Sequence, residues 1–112
     1  VVVSGGRNDN WDDPATDATA ASALFQTLRD KLPHAVIVAV APMWGDSPTT
    51  PAMIELGHSV ERAVTAVHGT YLAISDPIQG HPSEMADVAD PNDAGYAAIA
   101  TALSRALRPL IR

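Results

Sequence analysis

Three short stretches hold most of the side chains able to do chemistry. The C-terminal one, "ADVADPNDAGYAAIA" (86–100), carries Asp87 and Asp90 three residues apart, just ahead of Pro91-Asn92. Two carboxylates at that spacing repel each other. An aspartate ionises at about pH 4 when unperturbed, so it is a poor base toward a serine hydroxyl at neutral pH. A plainer role for Asp90 is a turn or capping residue, since negative charge is favourable near a helix N-terminus. The stretch "WGDSP" (44–48) offers the hydroxyl of Ser47 after an apolar run, and Gly45-Asp46 also reads as a turn. "GGRND" (5–9) brings Asn8, which by itself reads as an Asx-turn residue in a polar loop. His81 shares a long loop with the aspartates and is a candidate base, whereas His34, His58 and His68 sit beside or on helices. Asp87, Asp90 and Asp93 with His81 fit no metal-ligand spacing, and Asp93 reads as first-turn charge; no metal and no cofactor is expected.

The surrounding pattern says what must position these groups. Val1 to Ser4 is β-branched, apolar and closed by Gly5-Gly6, a short buried strand. Arg7 to Thr16 reads as a polar loop. A helix is expected over 17–32, with Ala21, Leu24, Phe25, Leu28 and Leu32 on one face and Pro33 as its stop. "AVIVAVA" (35–41) is a continuous apolar run, as in a parallel strand covered on both faces. Thr50-Pro51 is a helix start, followed by the stripe Met53, Leu56, Val60, Ala63, Val64 and Val67, with Gly69 as C-terminal cap. "TYLAIS" (70–75) is a third strand. Asp76 to Pro91 is a long loop, of the length that is more often functional than filler. Asn92 then caps a helix whose apolar face is Tyr96, Ile99, Leu103, Leu107 and Leu110. The order β-α-β-α-β-α predicts right-handed crossovers and a parallel sheet with helices on both faces. Ligands of such sheets gather at the carboxyl ends of the strands, where all three chemistry-bearing stretches fall.

Composition narrows the classes. The chain has 112 residues, 46% hydrophobic, with a formal net charge of -6 and no cysteine. That length suits one domain. The acidic balance argues against a nucleic-acid surface, and no basic amphipathic stretch offers itself to anionic lipid. Disulfide and thiolate chemistry are excluded, although this fixes no compartment. No apolar run is long enough to span a bilayer, and no signal-peptide pattern is present in these residues. The opening "VVVSGG" predicts that further sequence precedes it. A three-stranded sheet would leave an edge for another segment or another chain; self-association or pairing with an N-terminal part is expected.

Two of the stretches carry a resemblance. "GGRND" looks like the Gly-x-Asn-Asp block of the SGNH (GDSL-type) esterase and lipase family. "DVADPNDAGYAAIA" looks like that family's last block, Asp-x-x-His-Pro-Asn followed by Gly-Tyr and a helix. The likeness runs from the family's third strand to its final helix. Residues 1–112 thus resemble the C-terminal part of one SGNH-hydrolase-like domain, a three-layer α/β/α, flavodoxin-like fold with a parallel sheet, incomplete in itself. The resemblance implies that Asn8 donates to the oxyanion, that Gly6 leaves room for the approach there, and that Asp87 orients the catalytic histidine. Gly95 and Tyr96 would be structural. The histidine position itself is Asp90. The family's Gly-Asp-Ser nucleophile block and its second oxyanion glycine fall outside this stretch. The Gly-Asp-Ser at 45–47 lies where the family has a later loop.

The function implied is ester hydrolysis through an acyl-serine, on a small-molecule ester, with this chain supplying Asn8 and Asp87 and little or no turnover by itself. The alternative is a non-catalytic α/β binding or interaction module derived from the same fold.

Overall fold

The computed structural model describes residues 1–45 and 47–111, apart from the side chains of Asn10 and Trp11. Three strands, β1 (Val2–Val3), β2 (Val38–Val40) and β3 (Thr70–Leu72), form a parallel sheet in the order β1-β2-β3. Val2 and Val3 pair with Val38 and Ala39, and Val38, Ala39 and Val40 with Thr70, Tyr71 and Leu72. Each strand leads to a helix: α1 (Pro14–Lys31), α2 (Pro51–Ala66) and α3 (Asp93–Leu107). The molecule is mixed α/β with a parallel sheet, as the alternating pattern requires. β2 and β3 are shorter than the apolar runs that announce them.

Tertiary contacts divide the chain into two compact units, Val1–Pro42 with Thr50–Ala73 and Met43–Thr49 with Ile74–Arg112. The first holds the sheet, α1 and α2. Its core is Phe25, Ile37, Ala39, Ala63, Val64 and Val67, all buried. Ile37 to Val40 are buried without interruption, which explains the missing alternation in their sequence. α2 turns its expected stripe inward: Met53, Leu56, Ala63, Val64 and Val67 are buried and Val60 packs against the core. Thr50 accepts the Met53 N–H at 3.2 Å, with Pro51 at the first helical position.

α1 departs from expectation at both ends of its logic. It starts at Pro14 rather than 17, because Asp13 caps it, accepting the Thr16 N–H at 3.1 Å, and Pro14 is preset for the first turn. Only part of its apolar face is buried: Phe25 is sealed and Ala21 and Leu28 pack on the core, while Leu24 is 46% and Leu32 41% exposed. The α1 C-terminus is held by Arg29. Its guanidinium donates to the carbonyls of Ala35 (2.9 Å), Val67 (3.0 Å) and Pro33 (3.1 Å), with longer contacts to those of Leu32 and His68. A planar fork of five donors suits such a cluster where a lysine would not. α2 ends one residue from the expected point: His68, at φ +58°, takes the left-handed position, and the Gly69 N–H closes onto Val64 O at 2.9 Å.

The second unit has less apolar burial. Ile78 is buried, but of α3 only Gly95 is, and Tyr96, expected on the apolar face, is 57% exposed. Ile99, Leu103, Leu107 and Leu110 are half-buried. The loop from Asp76 contains a short 3-10 turn, Pro82–Glu84, and a bridge between Met85 and Pro91.

Candidate functional site

The first candidate cluster follows β1. Gly6 stands at φ +106°, a backbone region open mainly to glycine, and a Cβ there would lie 2.8 Å from Leu56 Cδ2. This bend sends the chain into a 3-10 helix, Arg7–Trp11, closed by Asp9 N–H to Gly6 O and Asp12 N–H to Asp9 O, each 3.0 Å. Asn8 rides on that turn, exposed, and its side-chain amide has no hydrogen-bond partner among the described residues. The Asx-turn that a polar loop would offer it is not formed. Its N–H groups are therefore available to an incoming acceptor, at the carboxyl end of a parallel strand.

The second cluster is the turn ahead of α3. Asp87 Oδ1 accepts the backbone N–H groups of Ala89 (2.7 Å) and Asp90 (2.8 Å), so its carboxylate orders the backbone of position 90. Ala86 N–H closes the turn onto Asp90 O at 2.8 Å. Asp90 thus acts as a turn residue through its backbone; its carboxylate is exposed and has no partner among the described residues. It is not the helix cap. That role falls to Asn92, whose Oδ1 accepts the Gly95 N–H at 3.1 Å, while its Nδ2 donates to Ser83 O at 2.7 Å and its backbone N–H to Glu84 O at 2.8 Å. Gly95 allows this seating: a Cβ there would meet Glu84 O at 2.3 Å. Val88, at the tip, is 94% exposed. Asp87 and Ser47 line one cavity of about 350 Å³ together with Pro82, Met85 and Val88. The turn proposed for Gly45-Asp46 includes Asp46, which lies outside the described residues.

Asp76 is a residue that sequence reasoning passed over. Its Oδ2 accepts the N–H groups of Trp44 (2.7 Å) and Gly45 (3.1 Å), and its Oδ1 that of Ile78 (3.1 Å). One carboxylate thereby pins Trp44 and Gly45 to the start of the long loop. The only signal for it was an aspartate directly after a strand. His81 is exposed, and its backbone N–H bonds Ile78 O at 3.0 Å. Glu84 Oε2 is buried with no hydrogen-bond partner among the described residues. Among the described residues, no three His, Asp or Glu come together to hold a metal ion, and no helix is long and apolar enough to cross a membrane.

A second group of carboxylates went unremarked in the sequence: Asp9, Asp12, Asp13 and Asp17, around the 3-10 helix and the start of α1. Burial pushes the Asp17 carboxyl above its ordinary range, and the negative charges of Asp12, Asp9 and Asp13 push it the same way. The signal available was density, four aspartates within residues 9–17.

Comparison of the chain with protein-family models, with curated proteins and with solved structures found no match.

Proposed function

We propose that this chain is the C-terminal portion of an SGNH-type serine ester hydrolase, acting on small-molecule esters through an acyl-serine. The observation that carries the reading is the block from Asp87 to Gly95, in which one carboxylate orders the backbone of position 90 and the chain then enters an Asn92-capped helix. An orienting acid must also aim a carboxylate oxygen at the Nδ1–H of its base; the turn brings position 90 beside Asp87, which is what such a pairing starts from. The exposed, unpartnered Asn8 amide after β1 supports it further, as a donor to an oxyanion.

In this reading a serine from an N-terminal Gly-Asp-Ser block attacks the ester carbonyl. Negative charge develops on the carbonyl oxygen, and Asn8 donates to it, with Gly6 giving the backbone its bend there. The serine proton passes to a base held by Asp87. Asp90 occupies the base position, and a carboxylate that ionises at about pH 4 takes that proton poorly at neutral pH. The chain by itself is therefore a silent or very slow esterase. The same substitution favours the second reading, a non-catalytic binding module on an esterase-derived frame.

The test is the reading frame upstream of Val1 and the activity of its whole product on p-nitrophenyl acetate. An in-frame Gly-Asp-Ser block is expected, with Asn8→Ala lowering kcat by about 10²–10³ and Asp90→His raising it by at least about 10². Absence of the block, or turnover indifferent to Asn8, overturns the hydrolase reading in favour of the binding module. Fluorophosphonate treatment of the 112-residue chain is expected to leave every serine unlabelled; an adduct on Ser47 would make that residue the nucleophile and displace the block assignment.

A further inference from the structure

Beside the first strand the molecule has a cavity that shares Gly6 with the ester-hydrolase reading but whose described lining includes neither Asn8 nor Asp87. It has a volume of about 380 Å³ and is lined by the end of β1, α1 and α2. That size falls within the usual range for small-molecule sites, on the order of 300–1,000 Å³. The inner wall is apolar, with Phe25, Val40, Leu56 and Val60, and Leu24 stands at the opening with nearly half its surface exposed. The failure of α1 to bury Leu24 is the same fact seen from the helix. The charged part of the lining has one sign: Asp9, Asp12 and Asp17 border the cavity beside the neutral Ser4 and Thr16, and none of its described lining residues is Lys, Arg or His.

Carboxylates gathered on a surface are by themselves only an acidic face. Here they border an apolar hollow, and the two features together select a ligand. An apolar neutral molecule would gain nothing from the rim. An anion would be repelled by it. A bare metal ion would find no convergent ligands, since no three carboxylates among the described residues come close enough to hold one. A cation with an apolar body satisfies both parts: the body displaces water from the hollow and the charge faces the rim. We propose that this cavity binds a small organic cation of the aryl- or alkylammonium class, with the apolar group against Phe25, Val40 and Leu56 and the ammonium facing Asp12, Asp17 and Asp9. Such a ligand also relieves the mutual repulsion that lifts the Asp17 carboxyl. Binding of this cation does not require the ester-hydrolase reading, although Gly6 borders both sites.

The experiment is titration of the 112-residue chain with benzyltrimethylammonium, followed by calorimetry and by methyl and amide NMR shifts. Saturable one-to-one binding is expected, with the largest shifts at Ala20, Ala21, Leu24 and Val60. Tetramethylammonium, which has the charge without the body, and phenylacetate, which has a body of the opposite charge, should each bind at least tenfold more weakly. The double variant Asp12→Asn, Asp17→Asn should lose at least tenfold in affinity while keeping the spectrum of a folded chain. A single Ala21→Leu change, which fills the hollow and leaves every charge in place, should do the same. No saturable binding, equal binding of phenylacetate, shifts centred elsewhere, or competition by calcium at equal concentration would each overturn the proposal.

Discussion

The two units hold their shape by different means. The one built on the sheet relies on burial: six side chains from α1, β2 and α2 and their flanks form one dry cluster. The one built on α3 relies on polar groups reaching into the backbone: Asp76 takes three N–H groups, Asp87 two, and Asn92 both gives and receives. Burial is non-directional and grows with area, so it tolerates shape change at a graded cost. A carboxylate accepting backbone N–H groups works only at one geometry, and losing Asp76 leaves part-buried donors without their acceptor. The second unit should therefore fail locally and abruptly, the first globally and by degrees.

The largest effect tests the first half of that contrast. Phe25→Ala empties the centre of the cluster, and a loss of about 3–5 kcal/mol is expected from denaturant unfolding. Next comes Asp76→Ala, which strands the N–H groups of Trp44, Gly45 and Ile78 and should cost about 2–3 kcal/mol. Hydrogen exchange should show protection lost at those three amides while Ile37 to Val40 keep theirs; equal loss in both places would mean that the contrast between units is false. His68→Gly is smaller and opposite in sign. It relieves a left-handed residue and should stabilise by about 0.4–1 kcal/mol.

The smallest effect concerns pH. The Asp17 carboxyl is held above its ordinary range in the folded chain, first by burial and then by its acidic neighbours. Folding therefore favours its protonated form. The stability this confers is complete below the carboxyl's unfolded pKa and is lost as pH rises through the folded one. Asp17→Asn should accordingly raise stability at neutral pH and change little in acid. Thermal melts at both ends of that range check the sign, and a gain that persists undiminished in acid would contradict it.

What the sequence reveals follows the same division. Periodicity reports burial, so the stripe of α2 and the continuous run through β2 are legible from residue types alone. Local caps are legible too, since Thr50 and Asn92 each sit beside the N–H they accept. The exposure of Leu24 is not, because its place in the apolar face is sound and only the reach of the neighbouring elements decides how much of that face is covered. Asp76 escapes because two of its donors lie some thirty residues earlier in the chain. Asp13 is hidden by the polar company that makes Arg7 to Thr16 look like a loop. At the end of α2 the presence of Gly69 draws the left-handed role to itself, although the chain gives it to His68. For Asp87 and Asp90 the spacing was legible; which of the two works through its side chain and which through its backbone needed the turn itself.

Arg29 has a consequence for the order of events in folding. Its guanidinium collects carbonyls from two places well separated in the chain, the segment after α1 (Ala35) and the turn after α2 (Val67 and His68). Neither place exists as a target until its own helix has stopped. The clasp can close only after both helices have formed and met, so a late place in assembly is expected for it, and Arg29→Ala should then speed unfolding more than it slows folding in a denaturant-jump experiment. Such a contact acts as a latch on escape, slowing unfolding while leaving the speed of folding nearly untouched. The first unit thus adds one polar clasp to the burial that holds it.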